Sequence, residues 1–555
     1  MVCAGLTLLL TVQGAIAQFG FGELIAVESP GDTTYYLDAQ SGDDENSGTR
    51  PSRAWRTLAQ VNSTRFAPGD KLLIKAGTTY EGRLWPKGSG RPGVPITIDS
   101  YGEGDRPAIH AGGEVGEALL LENTQAWHIN NLELTNTGDK PEAFRFGVSI
   151  SADDMGSAGD FKLTNLYIHD VNGTVQPGLG EGAGVIWRSR GSNVKTRFEG
   201  LLIENCTISD CGRNGIMSQS DFADRTRWYP NMDVVIRENE ITNVKGDGIR
   251  LEGCVNALVE YNRIERAGNV GDEVSGDGVS GGGVSGGGGV VSGGIGGVSG
   301  GAGAAGGGVS GGAGGIVLIG CDNSLVQYNE VWQTRGRDNA AMVSDTNCRE
   351  NTFQFNFTHD NDGPMLAVRS GRESVAADQR GADVGNIQTE VRYNLSQNDG
   401  AALRLAGPGE GTRFHNNTLF TGAEEKTDVL IVLDKPSPPT GLILANNVFY
   451  TLGTMTLDLS LLPDPQVMHN AYFGSINHPD GEPGAVTEDP LLAQPGAGES
   501  LLDGLEGYQT ESGSPLRAAG ARLSDHGDHD FWGHSVPRGE VVDIGAHQAA
   551  SDNED

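Results

Sequence analysis

Val235–Ile264 reads VIRENEITNVKGDGIRLEGCVNALVEYNRI, and this stretch decides the fold. It holds two copies of an apolar-x-x-Asn-x-apolar signature, centred on Asn239 and Asn262 and 23 residues apart. Between them lie a charged turn with Lys245 and Asp247, a GDGI entry to a strand, and Cys254. The signature returns at Asn329 (VQYNEV), Asn356 (FQFNFT), Asn394 (VRYNLS), Asn417 (FHNNTL), Asn447 (LANNVF) and Asn470 (VMHNAY). A period of this size points to a solenoid, whose coils bury their apolar faces only by stacking. One Asn per period has a physical reason. Asn tolerates a left-handed turn, and its amide can bond the next Asn one coil away, about 4.8 Å along the axis.

The rest of the chain agrees. Its 555 residues include 85 glycines, show few 3.6-period runs, and are broken everywhere by Asn, Asp and Gly into short strands, so one elongated all-β domain is expected. With 73 acidic against 39 basic residues the net charge is −34, which argues against nucleic acid as a partner and for a heavily hydrated surface. Residues 1–17 carry an apolar run, Leu6–Val12, ending in Ala15-Ile16-Ala17. They are expected to be a signal peptide cut before Gln18, although a basic start is missing. No other stretch is apolar enough to span a bilayer. The expectation is a secreted or periplasmic monomer.

Residues 18–34 form a lead-in and residues 35–113 an N-terminal cap with the first coils. A short helix is expected over Trp55–Val61, and PGDKLLIKAG reads as a turn and a strand. Coils then run over 114–488. Cys206 stands where a ladder Asn belongs. Cys254, Cys321 and Cys348 each precede a ladder Asn by eight residues and should stack as one buried column, with a disulfide between coils left open. The Gly-rich stretch 271–314 is of another kind. Asn262 and Asn329 are 67 residues apart, and removing those 44 leaves 23, so it is read as a flexible loop extruded from one coil, with a span of roughly 35–40 Å. Residues 489–547 read as a C-terminal cap and 548–555 as an acidic tail. Among the Asn-x-Ser/Thr sites, Asn205, Asn356 and Asn394 fall at or beside the ladder, where the amide should be buried, which leaves Asn62 and Asn172 as the plausible acceptors.

Over residues 35–547 the chain resembles the pectin-lyase-like right-handed parallel β-helix superfamily. The Asn-ladder repeats, the PGDKLLIKAG opening and the SPLRAAG…DFWG…VDIGAHQ ending carry the resemblance. It implies a secreted protein acting on polysaccharide. That superfamily holds lyases, hydrolases, epimerases, esterases and adhesins, so fold alone does not choose among them. The ordered NTD, DD, GHG and RIK motifs of polygalacturonases and the DPHE box of mannuronan epimerases are absent.

Aligning coils on the ladder gathers charge in one region. Lys245 and Arg335 share a column six residues after their Asn, with Arg337, Asp338 and Asp247 nearby. Counting back from the cysteines puts Arg250 and Ser344 in another, beside Glu252 and Asp345, and His359, Asp360 and Asp362 follow in the next coil. The first reading is β-elimination on an acidic, uronate-containing extracellular polysaccharide. Lys245, Arg250, Arg335, Arg337, His359, Asp247 and Asp338 are its catalytic candidates, and Glu252, Glu330, Asp345, Asp360 and Arg369 its substrate-binding ones. Base and cations suit proton abstraction beside a carboxylate. No cofactor is demanded, with Ca²⁺ left open as a counter-ion. The second reading is a glycoside hydrolase using two of the carboxylates. The third is a glycan-binding or adhesive protein without catalysis.

Overall fold

The computed structural model describes residues 27–175, 180–268, 313–370, 385–433, 438–536 and 541–549. The signal-peptide reading, nearly all of the Gly-rich loop and the final tail lie outside them. The chain winds through three long sheets of 16, 13 and 11 strands, with parallel pairing from coil to coil. One coil shows the circuit: Val235–Arg237 in the first sheet, Glu240–Val244 in the second, Ile249–Glu252 in the third, then back to the first at Leu258–Glu260. Alternation along each short strand sends one residue into a continuous apolar core and the next outward. Ile236, Ile241, Ile249 and Leu251 are fully buried there. Across the Gly-rich stretch Ile249 pairs with Ile316 and Arg263 with Glu330, so the coils before and after it are direct neighbours. Pairing resumes at Gly314, one residue before the expected point.

The Asn ladder stands in the turn between the first and second sheets. From Asn239 to Asn470 each side-chain oxygen accepts the backbone N–H of the preceding ladder residue, at 2.9–3.1 Å where Asn precedes. Cys206 begins it by donating its N–H to Asn239, and Glu482 ends it by accepting from Asn470. The left-handed residue is not the ladder Asn but the one before it: Glu238, Tyr261, Tyr328, Phe355, Tyr393, Asn416, Asn446 and His469 all have φ between 50° and 56°. Four of these are aromatic, and left-handed backbone is costly for such residues. Stacking offsets the strain: Tyr261, Tyr328 and Phe355 lie 5.0 Å apart ring to ring.

A second column explains the recurring glycine before each third-sheet strand. Gly147, Gly184, Gly215, Gly248 and Gly315 face the interior, where a Cβ would come within 2.3–2.7 Å of Ile168, Ile208, Ile241, Ile264 or Val331 of the following coil. The β-branched side chains of the second sheet fill the space those glycines leave. GDGI is therefore a packing motif.

Corrections concern the ends and the columns. The N-terminal helix is Leu58–Asn62, later than expected, because Trp55 is held extended by bonds to Tyr36 and Asp38 and stacks on Tyr35. The described residues of 489–547 run back along the side of the solenoid, packing Leu505, Tyr508, Phe531 and Ile544 against Phe357, Leu395, Phe420 and Val448 of the second sheet. Cys254, Cys321 and Cys348 are buried and free, with Cys321 N–H facing Cys348 Sγ at 3.4 Å, so the column is packing and not a disulfide. Asn62 and Asn172 spend both ends of their amides inside the chain, and Asn205 is exposed and not buried. Among the described residues no helix is long and apolar enough to cross a membrane.

Candidate functional site

The outward face of the third sheet carries two parallel rows of side chains. One runs Ile186, Met217, Arg250, Val317, Val343, Ala367, Arg404. The other runs Arg188 and Gln219, then Glu252, Ile319, Asp345 and Arg369. Arg250 is thus aligned with Val343 and not with Ser344. The turn before Cys348 is one residue longer than those before Cys254 and Cys321, so counting back from the cysteine shifts the register by one. Ser344 points inward and is fully buried.

Charge on this face is organised in ion pairs. Glu181, buried at the end of a loop the sequence did not single out, receives Arg250 at 3.2 Å, Arg213 at 3.6 Å and the Asn214 amide at 3.1 Å. Burial opposes the charge of Arg250, but Asp247 and Glu181 outweigh it and hold the guanidinium protonated. Asp345 pairs with Arg369 at 2.9 Å. At the rim, Arg404 reaches Asp338 at 3.5 Å and the Arg337 carbonyl at 2.7 Å. Glu252 differs from its neighbours. Burial pushes its carboxyl up to about 7, against the pull of Arg250 and with help from Glu181 and Asp221. Glu252 and Asp345 share one row two strands apart, one held near neutrality and one in an ion pair.

The other sequence-derived candidates stand elsewhere. Lys245, Arg335 and Arg337 are exposed in the turn between the second and third sheets, where Arg335 pairs with Asp362 at 3.2 Å. Lys245 and Arg335 do share a column, with Gly268 between them. Asp247 is buried, and its carboxylate accepts the Gly314 N–H at 2.8 Å, a turn-bracing role. His359, Glu330 and Asp360 belong to the outward side of the second sheet. His359 bonds Asp360 at 2.9 Å and Glu330 at 3.4 Å, and its ring stacks on Phe357 and Trp332. Burial lowers the His359 pKa, but Asp360 and Glu330 more than offset this and raise it to about 9. Burial raises the Glu330 carboxyl, but the His359 hydrogen bond, Arg263 and the Leu501 backbone of the returning segment outweigh it and hold Glu330 below the usual carboxylate range. This buried cluster is therefore separate from the third-sheet face. The sequence missed Glu181, Arg213 and Arg404. Their signal was pairing with residues far along the chain, which ladder alignment does not reach.

Among the described residues, one group has the composition to gather a metal ion: Asp530, His534 and His547 of the returning segment. Its carboxylate and both Nδ1 atoms are engaged within the chain. Asp530 accepts from the N–H groups of Trp532, His534 and Gln548 and faces His534 Nδ1, while His547 Nδ1 accepts from Thr510. It is a clasp of that segment.

A family model described as a right handed beta helix region matches residues 113–281. The fold is a right-handed parallel β-helix. This β-helix chain is 24% identical over 627 aligned residues to the lacto-N-biosidase of Bifidobacterium longum subsp. longum, covering 93% of this chain and 36% of that protein. Over 71 residues, 13% of the chain and 12% of the relative, it is 37% identical to the alpha-1,3-galactosidase A of Akkermansia muciniphila. Among solved structures it is similar to a GH136 lacto-N-biosidase from Eubacterium ramulus, with a TM-score of 0.56 and 23% identity over 74% of this chain and 66% of that one. The β-helix thus spans 36% of the length of the curated lacto-N-biosidase it matches.

Proposed function

We propose that the third-sheet face is the active site of a glycoside hydrolase acting on an extracellular glycan. Glu252 is the proton donor and Asp345 the ionised carboxylate that stabilises positive charge developing at the anomeric carbon. The observation that carries this is the contrast between the two carboxyls. Burial holds Glu252 at about 7, so it keeps its proton near neutrality, whereas Asp345 faces the Arg369 guanidinium. Two carboxyls separated in this way by their environments are what general acid catalysis at a glycosidic bond requires. Donation from Glu252 to the bridging oxygen releases the leaving sugar as an alcohol, and water completes the reaction at the anomeric carbon. The likeness to a lacto-N-biosidase, and over a short stretch to a galactosidase, supports hydrolysis over elimination. Elimination also needs an unprotonated base on the third-sheet face, and there Asp247 and Glu181 hold Arg250 charged. Lys245 and Arg335 stand at the rim, and His359 is tied to Glu330 on another sheet. The apolar run Leu6–Val12 before Ala15-Ile16-Ala17 supports export. The test is product chemistry on a panel of glycans. New reducing ends without an unsaturated, ultraviolet-absorbing product support hydrolysis. That absorbance appearing in step with cleavage would reinstate the lyase.

A further inference from the structure

Arg188 lies in the same floor row as Glu252, two strands toward the N-terminus, with Gln219 between them. It is a cation without a counter-ion. Its side chain is 8% exposed, yet no carboxylate among the described residues comes within ion-pairing distance. Its contacts are neutral: Nε donates to Gln219 Oε1 at 3.3 Å, Nη1 to Ser149 Oγ at 3.4 Å, and the guanidinium lies over the Phe146 ring at 4.5 Å. Burial draws its pKa down to about 10, with Arg190 adding to that and Glu117 opposing it, so it is still charged at neutral pH. Arg250 and Arg213 are matched with Glu181, Arg369 with Asp345, and Arg404 with Asp338, while Arg190 at the end of the same strand is exposed to solvent. Carboxylates are not scarce in a chain with 73 acidic residues. Leaving a buried cation unmatched is unfavourable in proteins generally, and a ligand anion removes the penalty.

We infer that Arg188 receives the carboxylate of an acidic sugar, about two strand spacings (~9.6 Å) along the third-sheet face from Glu252. The inference rests on the third-sheet face being a glycan site and names its substrate class: chains bearing a hexuronic or a sialic acid residue. The planar fork takes a carboxylate bidentately, which a neutral sugar does not offer.

The experiment measures binding to the Asp345→Asn protein by calorimetry and cleavage by the unaltered protein. Two ligand pairs are used: a uronate oligosaccharide with its carboxyl-reduced counterpart, and a sialylated oligosaccharide with its asialo form. The acidic member of one pair should bind roughly tenfold or more tightly than its neutral partner, and which pair responds identifies the source of the carboxylate. Arg188→Met should abolish the preference. Gln219→Glu is the companion variant, because it gives Arg188 an internal carboxylate. It should raise the melting temperature, which guards against misfolding as an explanation, and should also erase the preference. If neutral glycans bind and are cleaved as well as acidic ones, or the preference survives Gln219→Glu, this inference fails while the hydrolase reading stands. If no glycan of either kind binds or is cleaved, both fail together.

Discussion

Asn329→Ala removes one rung from the middle of the ladder, and the structure sets the size of the loss. The Asn329 amide donates to the carbonyls of Val259 and Gln327 at 2.9 Å and to Asn356 Oδ1 at 3.0 Å. Its oxygen accepts the backbone N–H of Asn262 at 3.0 Å and the Asn262 amide at 2.9 Å. Alanine leaves the Asn262 N–H without a partner inside a fully buried turn and the two neighbouring amides half satisfied, while the Val259 carbonyl keeps its place in the strand pairing. An orphaned buried group costs about 1–3 kcal/mol and the half-satisfied amides add to it, so the expected loss is about 2–4 kcal/mol. Gln327→Ala, which removes only surface amide bonds to Glu260 and Gln354, should cost less than about 1 kcal/mol. Denaturant unfolding gives the global value, and hydrogen exchange at the Asn262 amide gives the local one. A loss under about 1 kcal/mol with the Asn262 amide still protected would refute the view that the ladder holds the coils together.

Gly248→Ala places a methyl 2.6 Å from the Gly315 carbonyl oxygen and 2.7 Å from Ile264 Cγ2, and should cost about 1–3 kcal/mol in thermal or chemical unfolding. His359 has a folded-state pKa raised from 6.5 to about 9, so its stabilising charge is fully present below pH 6.5 and is lost as pH rises through 9. Melting temperature should fall over that window, and His359→Gln should flatten the fall. Glu252 is raised from 4.5 to about 7, so its stabilising contribution is present below pH 4.5 and is lost as pH rises through 7. Glycan cleavage should fall about tenfold per pH unit above 7 as the donor loses its proton, and a rate level to pH 9 would remove Glu252 from that role.

The fold was legible because a solenoid writes its period into the sequence. Asn239, Asn262 and the later rungs align by counting, and the 23-residue remainder across the Gly-rich stretch pointed to the pairing of Arg263 with Glu330. Counting failed where a turn changed length. The longer turn before Cys348 shifted Ser344 into the core and put Val343 in Arg250's row. It also failed for the returning segment, since nothing local in residues 489–547 states that Leu505 and Phe531 lie on the second sheet. That covering is what sets the His359–Glu330 cluster apart from the third-sheet face. Of the candidate site, Arg250, Glu252, Asp345 and Arg369 were within reach of coil alignment. Glu181 and Arg188 were not, because a buried loop end and an unmatched cation are defined by what surrounds them.

The central claim is that Glu252 and Asp345 together hydrolyse a glycosidic bond. Its most direct test is reducing-end release from a cleaved glycan by the unaltered protein, Glu252→Gln and Asp345→Asn, with folding checked by melting temperature. The account predicts that each substitution lowers the rate by about 10²-fold or more without an ultraviolet-absorbing product in any sample, and that the double variant is no worse than the weaker single one by more than a small factor. Full activity in either folded single variant would contradict it.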